Sequence, residues 1–335
     1  EVVVPPAAPA GGLDVGDFRD VAGQPVGRTA CEVAAAGGHN LLMTGPPGCG
    51  KTLLAERMPS ILPPLSVEES LQVTAIHSVA EALPPDVLIS HAPFQAPHHS
   101  STQAALIGGG GGLAKPGAAS LAHRGVLFLD EAPEFRSGVL DALRQPLESG
   151  RISISRVQGT ATYPARFSLL LAANPCPCAQ SESKCSCTPD RRRTYLTRMS
   201  GPLLDRMDLN VSLQAISRAD VMSDSGGETS ADIAVRVARA RAAAAARLVG
   251  TPYRTNADIP PTVLLQRWPL SRSAVAPIGK AMDEGLLTAR GFGRVQRMAW
   301  TFADLNGHPE PTDVDAKLAL SLRLGDDTLH KRWAA

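Results

Sequence analysis

A chain of 335 residues exceeds the usual single-domain size, so two packed domains are expected. A formal net charge of +1 excludes a globally basic nucleic-acid coat, while leaving room for a local basic patch. Apolar residues make up 44% but aromatics only 4%, so the core must be built from Ala, Leu, Val and Ile.

No apolar run approaches the roughly 20 residues of a membrane span, and no signal-peptide pattern opens the chain. A cytoplasmic protein without a membrane partner is the expectation. Residues 1–14, which include VVVPPAAPAGG and have no initiator Met, read as a linker cut from something longer, with a domain upstream.

The first chemical motif follows the apolar run Leu41–Thr44. It is Gly45-Pro46-Pro47-Gly48-Cys49-Gly50-Lys51-Thr52, with LLAERM behind it. This is G-x-x-x-x-G-K-T between a strand and a helix, the setting a phosphate-binding loop requires. The glycines let backbone N–H groups turn toward phosphate, and the start of the following helix favours negative charge. Lys51 is expected on the β- and γ-phosphates of ATP, and Thr52 on Mg²⁺. A Gly-rich turn matching by chance is the competing reading, and both flanks speak against it.

Between this loop and the next strand lies APFQAPHHSSTQAALIGGGGGLAKPGAASLAH, residues 92–123. It reads as an inserted loop or hairpin with a glycine tip. His98 and His99 have no Cys or acid at ligand spacing, which favours a hydrogen-bonded pair over a metal site. The glycine run with Lys115 is either a polymer contact or a surface loop.

Val126–Leu129 is wholly apolar, as suits a parallel strand buried on both faces, and Asp130-Glu131 follows at once. Ligands bind at the C-terminal ends of such strands. Asp130 is therefore expected on the Mg²⁺ side and Glu131 on the attacking water; acids capping a strand-to-helix turn are the alternative. Residues 134–149 fit one helix with Leu140, Leu143 and Leu147 on a face, ended by Gly150. Residues 151–163 alternate about Gln158-Gly159 as a β-hairpin carrying Arg151 and Arg156. A further buried strand from Phe167 ends at Asn174, a group that can orient water or cap a helix.

Cys176, Cys178, Cys185 and Cys187 form two C-x-C pairs just beyond Asn174. Four thiolates suit tetrahedral Zn²⁺, though C-x-C is tighter than the usual spacing, and disulfides or unliganded thiols remain open. Arg191, Arg192 and Arg193 follow, as a DNA or subunit contact or a solvated face. GPLLDRMDLNVSL, residues 201–213, places Arg206 between a short helix and a last strand. After the linker at 223–228, the segments 229–249, 271–287, 293–305 and 311–323 predict a small all-α domain. The expected organisation is thus an α/β ATPase core over 15–222 and a helical lid over 229–330.

Taken together, GPPGCGKT, FQAPHHSSTQAALIGGG, SLAHRGVLFLDEAPEF, the hairpin, LLLAANPCPC and SGPLLDRMD resemble the magnesium-chelatase-like AAA+ ATPases, in particular their YifB/ComM branch. The resemblance runs from about Val15 to Leu324. It implies an AAA+ P-loop fold with a parallel sheet between helices, a helix-2 insert, a pre-sensor-1 hairpin and a C-terminal helical lid. It also implies a homo-hexameric ring with ATP between subunits.

On the same resemblance Asn174 matches sensor 1, Arg206 the arginine finger, and Arg290 sensor 2, with Arg294 as the alternative. Competence-associated members are described as DNA helicases promoting branch migration, and they carry an N-terminal Lon/S5-like domain, which on this resemblance is the part expected upstream of residues 1–14. The leading expectation is a motor acting on single-stranded or branched DNA. The others are a chelatase-type remodelling subunit driving Mg²⁺ insertion into a porphyrin, and a nucleotide-gated structural ring.

Overall fold

The computed structural model describes residues 16–80, 87–109, 114–156, 159–180, 185–218, 222 and 227–325. The linker at 1–14, most of the glycine run, Gln158 and residues 223–226 lie outside them.

Five strands form one parallel sheet: β1 (Leu41–Thr44), β2 (Phe94–Gln95), β5 (Val126–Leu129), β8 (Ser168–Ala173) and β9 (Leu209–Ser212). Their order across the sheet is β2-β5-β8-β1-β9. All four residues of β5 are buried, as a strand covered on both faces demands. β2 is a correction to the sequence reading. The segment taken as a pure insertion starts with an edge strand, Phe94 and Gln95 pairing with Val126 and Leu127. Two residues are too few to carry a period. The ribbon of β3 (Gly108–Gly109) and β4 (Lys115–Pro116) then makes up the insert.

The register aligns the functional ends. Thr44 lies opposite Ala173, and Leu129 opposite Leu171. Because β8 sits between β1 and β5, the residues that follow these three strands are neighbours along one edge of the sheet.

The helix expected over 134–149 is two helices, Ser137–Asp141 and Arg144–Ser149. Pro146 has no N–H to give the carbonyl of Ala142, and its ring crowds that carbonyl, so a continuous helix cannot pass. Leu140 and Leu143 are nonetheless buried together, and Gly150 closes the second helix at φ 66°. The hairpin forms as expected from β6 (Arg151–Arg156) and β7 (Gly159–Pro164), with Ile152 and Ile154 inward and Arg151, Ser153 and Ser155 exposed.

The helical part comprises Ser230–Arg247, Pro261–Arg267, Arg272–Asp283, Ala289–Asn306 and Asp313–Leu324. The second of these, seven residues long, escaped the periodicity. The lid shares one core with the sheet: Leu41, Met43 and Val211 pack in the same cluster as Val237, Val295 and Leu322. Arg323 also donates to the carbonyl of Met207, just before β9.

Candidate active site

The loop after β1 has the backbone its glycines permit. Gly48 and Gly50 stand at φ 75° and 90°, in the region L side chains rarely enter. At Gly45 a Cβ would come within 2.7 Å of Cys49 Sγ and of the Leu213 carbonyl. The helix Lys51–Ile61 starts directly from this loop and aims its free N–H groups into it. Lys51 is buried, and its Nζ donates to the carbonyls of Gly45 (2.7 Å) and Pro46 (3.0 Å) and to Asn174 Oδ1 (3.2 Å).

Thr52 Oγ1 donates to Asp130 Oδ2 at 2.8 Å, and the Glu131 amide donates to Asp130 Oδ1 at 2.8 Å. A hydroxyl and a carboxylate converging from two strand ends are hard oxygen donors of the kind Mg²⁺ takes beside phosphate. The residues therefore fit that ion. Glu131 is held at φ 50°, a left-handed backbone that costs a non-glycine residue on the order of 1 kcal/mol. Its Oε2 meets His99 Nδ1 at 3.2 Å.

That contact agrees with the hydrogen-bonded reading of the histidine pair and adds a partner to it. No acid lies near His99 in the sequence, yet the fold brings Glu131 against it. His98 stacks on His99 with centroids 4.0 Å apart and hydrogen-bonds Ser100 Oγ at 2.8 Å. The doublet was visible in the sequence; its partner was not.

Arg206 sits elsewhere. The strands are parallel, and Leu41 at the start of β1 is level with Leu209 at the start of β9. Arg206 precedes β9, so it belongs to the sheet edge opposite the phosphate loop. Asn40 fixes it there: its Nδ2 donates to the Arg206 carbonyl at 3.0 Å. From Asn40 to Gly45 is about 16 Å of extended strand at ~3.3 Å per residue, beyond the reach of an arginine side chain.

Around Arg206 is a cleft of about 880 Å³ lined also by Arg144, Arg166, Arg290, Arg294 and Arg297. Arg206 bonds Glu148 and the Pro202 carbonyl, while its buried Nε has no hydrogen-bond partner among the described residues. Burial and then the like charges of Arg144, Arg294 and Arg290 push its pKa down. A partly desolvated guanidinium among guanidinia is a site short of negative charge.

The two lid arginines divide. Arg294 is 17% exposed and pairs with buried Asp208 at 2.7 Å, whereas Arg290 is 83% exposed and touches Asp205 at 3.1 Å. Burial by itself would raise the pKa of Asp208. His39 at 3.5 Å, Arg294 and Arg297 outweigh burial and hold the carboxylate well below the usual range. Arg144, Arg166, Arg297 and the acids Asp205 and Asp208 were not foreseen in the sequence, since no local motif marks them.

The four cysteine sulfurs lie within 4.8 Å of one another, the single group of three or more metal-type donors among the described residues. No helix of the described residues is long and apolar enough to cross a membrane.

A parallel sheet carrying a phosphate loop, an acid pair and a polar residue on three adjacent strand ends, with a helical lid, defines an AAA+ P-loop module. Residues 17–221 match the magnesium chelatase subunit ChlI family model, and residues 227–323 match the model of its C-terminal region. The chain belongs to this magnesium-chelatase family. It is 52% identical over 309 residues to an uncharacterised protein of Mycobacterium tuberculosis, covering 92% of this chain and 61% of the relative.

Identity is 41% over 317 residues to the uncharacterised protein YifB of Escherichia coli, covering 93% and 61%. It is 38% over 316 residues to the competence protein ComM of Haemophilus influenzae, covering 92% and 60%. The chain thus spans about three fifths of the length of the curated relatives it matches.

Proposed function

We propose that the chain is the ATP-hydrolysing motor of a homo-hexameric ring, that ATP is cleaved between subunits, and that the ring acts on DNA. The observation that carries this reading is the separation of the two halves of the chemistry. Lys51, Thr52, Asp130, Glu131 and Asn174 line one edge of the sheet, and Arg206 and Arg290 the other. A second copy supplies what one chain cannot bring together.

On one side of the interface Lys51 exchanges the Gly45 and Pro46 carbonyls for phosphate oxygens, and Asn174 and Glu131 orient the attacking water. Glu131 takes the water's proton as the bond to phosphorus forms. Mg²⁺, held through Thr52 and Asp130, would neutralise charge on the phosphate oxygens. On the other side Arg206 enters the neighbour's site and stabilises charge on the transferred phosphoryl group, a contribution worth about 10³-fold or more where such fingers act. Arg290, exposed and paired with Asp205, acts beside it as the lid's sensor. Arg294, committed to Asp208, ties the lid to the segment that carries Arg206.

DNA as the substrate draws support from the competence protein among the relatives. It also draws on the exposed arginines Arg191 and Arg193 beyond the nucleotide edge and Arg151 on the hairpin. The test is phosphate release with and without single-stranded and branched DNA, with Glu131→Gln as the inactive control. Stimulation by DNA that disappears in the control supports the reading. Turnover indifferent to DNA favours protein remodelling of the chelatase type, magnesium chelatase being the enzyme that the family description names.

A further inference from the structure

Beyond Asn174 the chain runs Pro175-Cys176-Pro177-Cys178, turns at Ala179 with φ 51°, and later returns as Cys185-Ser186-Cys187. The sulfurs of Cys176 and Cys178 are 3.2 Å apart, those of Cys176 and Cys185 3.4 Å, and those of Cys178 and Cys185 3.6 Å. Cys187 Sγ lies within 4.8 Å of all three. A disulfide would need about 2.05 Å. Four thiolates about 2.3 Å from one tetrahedral ion would stand about 3.8 Å from each other. The four stand as free thiols whose separations approach the second arrangement, and the cage is too small for a multi-iron cluster between the sulfurs.

Two surroundings fit an anionic cage. Main-chain amides stand near the sulfurs, that of Cys178 by Cys176 and that of Cys187 by Cys185, and favour negative charge on them. Arg192, carried by the helix Pro189–Leu196, stands beside Cys185 and leaves its buried Nε without a hydrogen-bond acceptor among the described residues. The Arg192 guanidinium is half-exposed and turned toward Cys185, where a cation favours negative charge on sulfur.

We propose that Cys176, Cys178, Cys185 and Cys187 bind one structural Zn²⁺ as four thiolates, releasing four protons and leaving a net charge of −2 that Arg192 offsets in part. Neither the DNA reading nor the subunit reading is needed for this site. It has a mechanical consequence all the same. Pro175, Cys176, Cys185 and Arg192 line one cleft of about 320 Å³ with Gly45 and Pro46 of the phosphate loop. The metal therefore braces the segment that presents Asn174 to Lys51.

The test is the metal content of the whole protein, purified without added metal and passed through a chelator column. The expected result is about one zinc per chain, released stoichiometrically by a mercurial thiol reagent. Replacing the zinc with Co²⁺ should give the intense near-ultraviolet charge-transfer bands of a tetrathiolate site. The double variant Cys178→Ser/Cys185→Ser should lose both the zinc and those bands, and turnover should fall with them.

Three results would overturn the assignment: metal-free protein whose four thiols alkylate freely, an intact mass showing disulfides, or an adventitious ion only, retained equally by the double variant. The wild-type metal count and cobalt spectrum decide the matter even if the variant fails to fold.

Discussion

His99 Nδ1 and Glu131 Oε2 meet at 3.2 Å, one from the insert and one from the end of β5. The residue assigned to activate water is thus held by a segment outside the phosphate loop and the acid strand. An exposed pair of this kind contributes about 0.2–1 kcal/mol, enough to bias Glu131 and weak enough for a ligand on the insert to release it. His99→Ala is therefore expected to raise DNA-independent ATP turnover by up to about fivefold, and to shrink any stimulation by DNA in proportion. Steady-state phosphate release checks this; basal turnover that falls would mean that His99 supports catalysis directly.

The left-handed backbone of Glu131 makes a separate prediction about stability. Its side chain is exposed, so its removal loses little packing. Glu131→Gly should be more stable than Glu131→Ala by about 1 kcal/mol, since only glycine takes φ 50° without strain. Both variants are inactive on this account. Urea midpoints equal for the two would remove the strain from the argument.

His123 supplies a pH dependence. Burial first, then Arg124 and Arg166, bring its pKa down from the ordinary 6.5 to about 4. Its ring is neutral: Nδ1 accepts from the Arg166 amide at 3.0 Å, and Nε2 faces Gln72 Oε1 at 3.3 Å. Between about pH 6.5 and 4 the unfolded chain takes up a proton that the folded chain refuses. Stability is therefore lost as pH falls through that window, by up to about 3 kcal/mol, and this contribution levels off below it. His123→Gln should flatten that part of the stability curve, measured by denaturant unfolding at several pH values. An unchanged slope would locate the acid sensitivity elsewhere.

The Arg294–Asp208 pair joins lid to core at a point two residues from Arg206. Removing one partner of a buried pair strands the other, at a cost of about 3 kcal/mol. Asp208 keeps His39, which moderates the loss. Arg294→Met should lower thermal stability accordingly. Arg290→Ala, at an exposed residue, should leave stability within about 0.5 kcal/mol of wild type while lowering turnover. The reverse pattern would exchange the roles of the two arginines.

Much of this site was legible because its parts are local. Gly45–Thr52 is contiguous, and Asp130 and Asn174 each follow an apolar run at the strand ends where ligands gather in parallel sheets. What escaped depends on distant contacts or on very short elements. β2 has two residues and no period, and the partner of His99 is fixed by the pairing of β2 with β5 rather than by spacing. The break at Ala142–Leu143 was legible in principle from Pro146, but three aligned leucines outweighed one proline. The position of Arg206 on the far edge of the sheet needed the register of β1 with β9, which only the folded chain provides.

The central claim is that hydrolysis takes place between two copies. The most direct measurement mixes Lys51→Ala with Arg206→Ala in the whole protein and follows phosphate release over a range of ratios. Each variant alone should be inactive. In the mixture an intact phosphate loop from one copy meets an intact Arg206 from the other, so activity should reappear and peak near equal proportions. A mixture that exchanges subunits and stays as inactive as either variant would contradict the account.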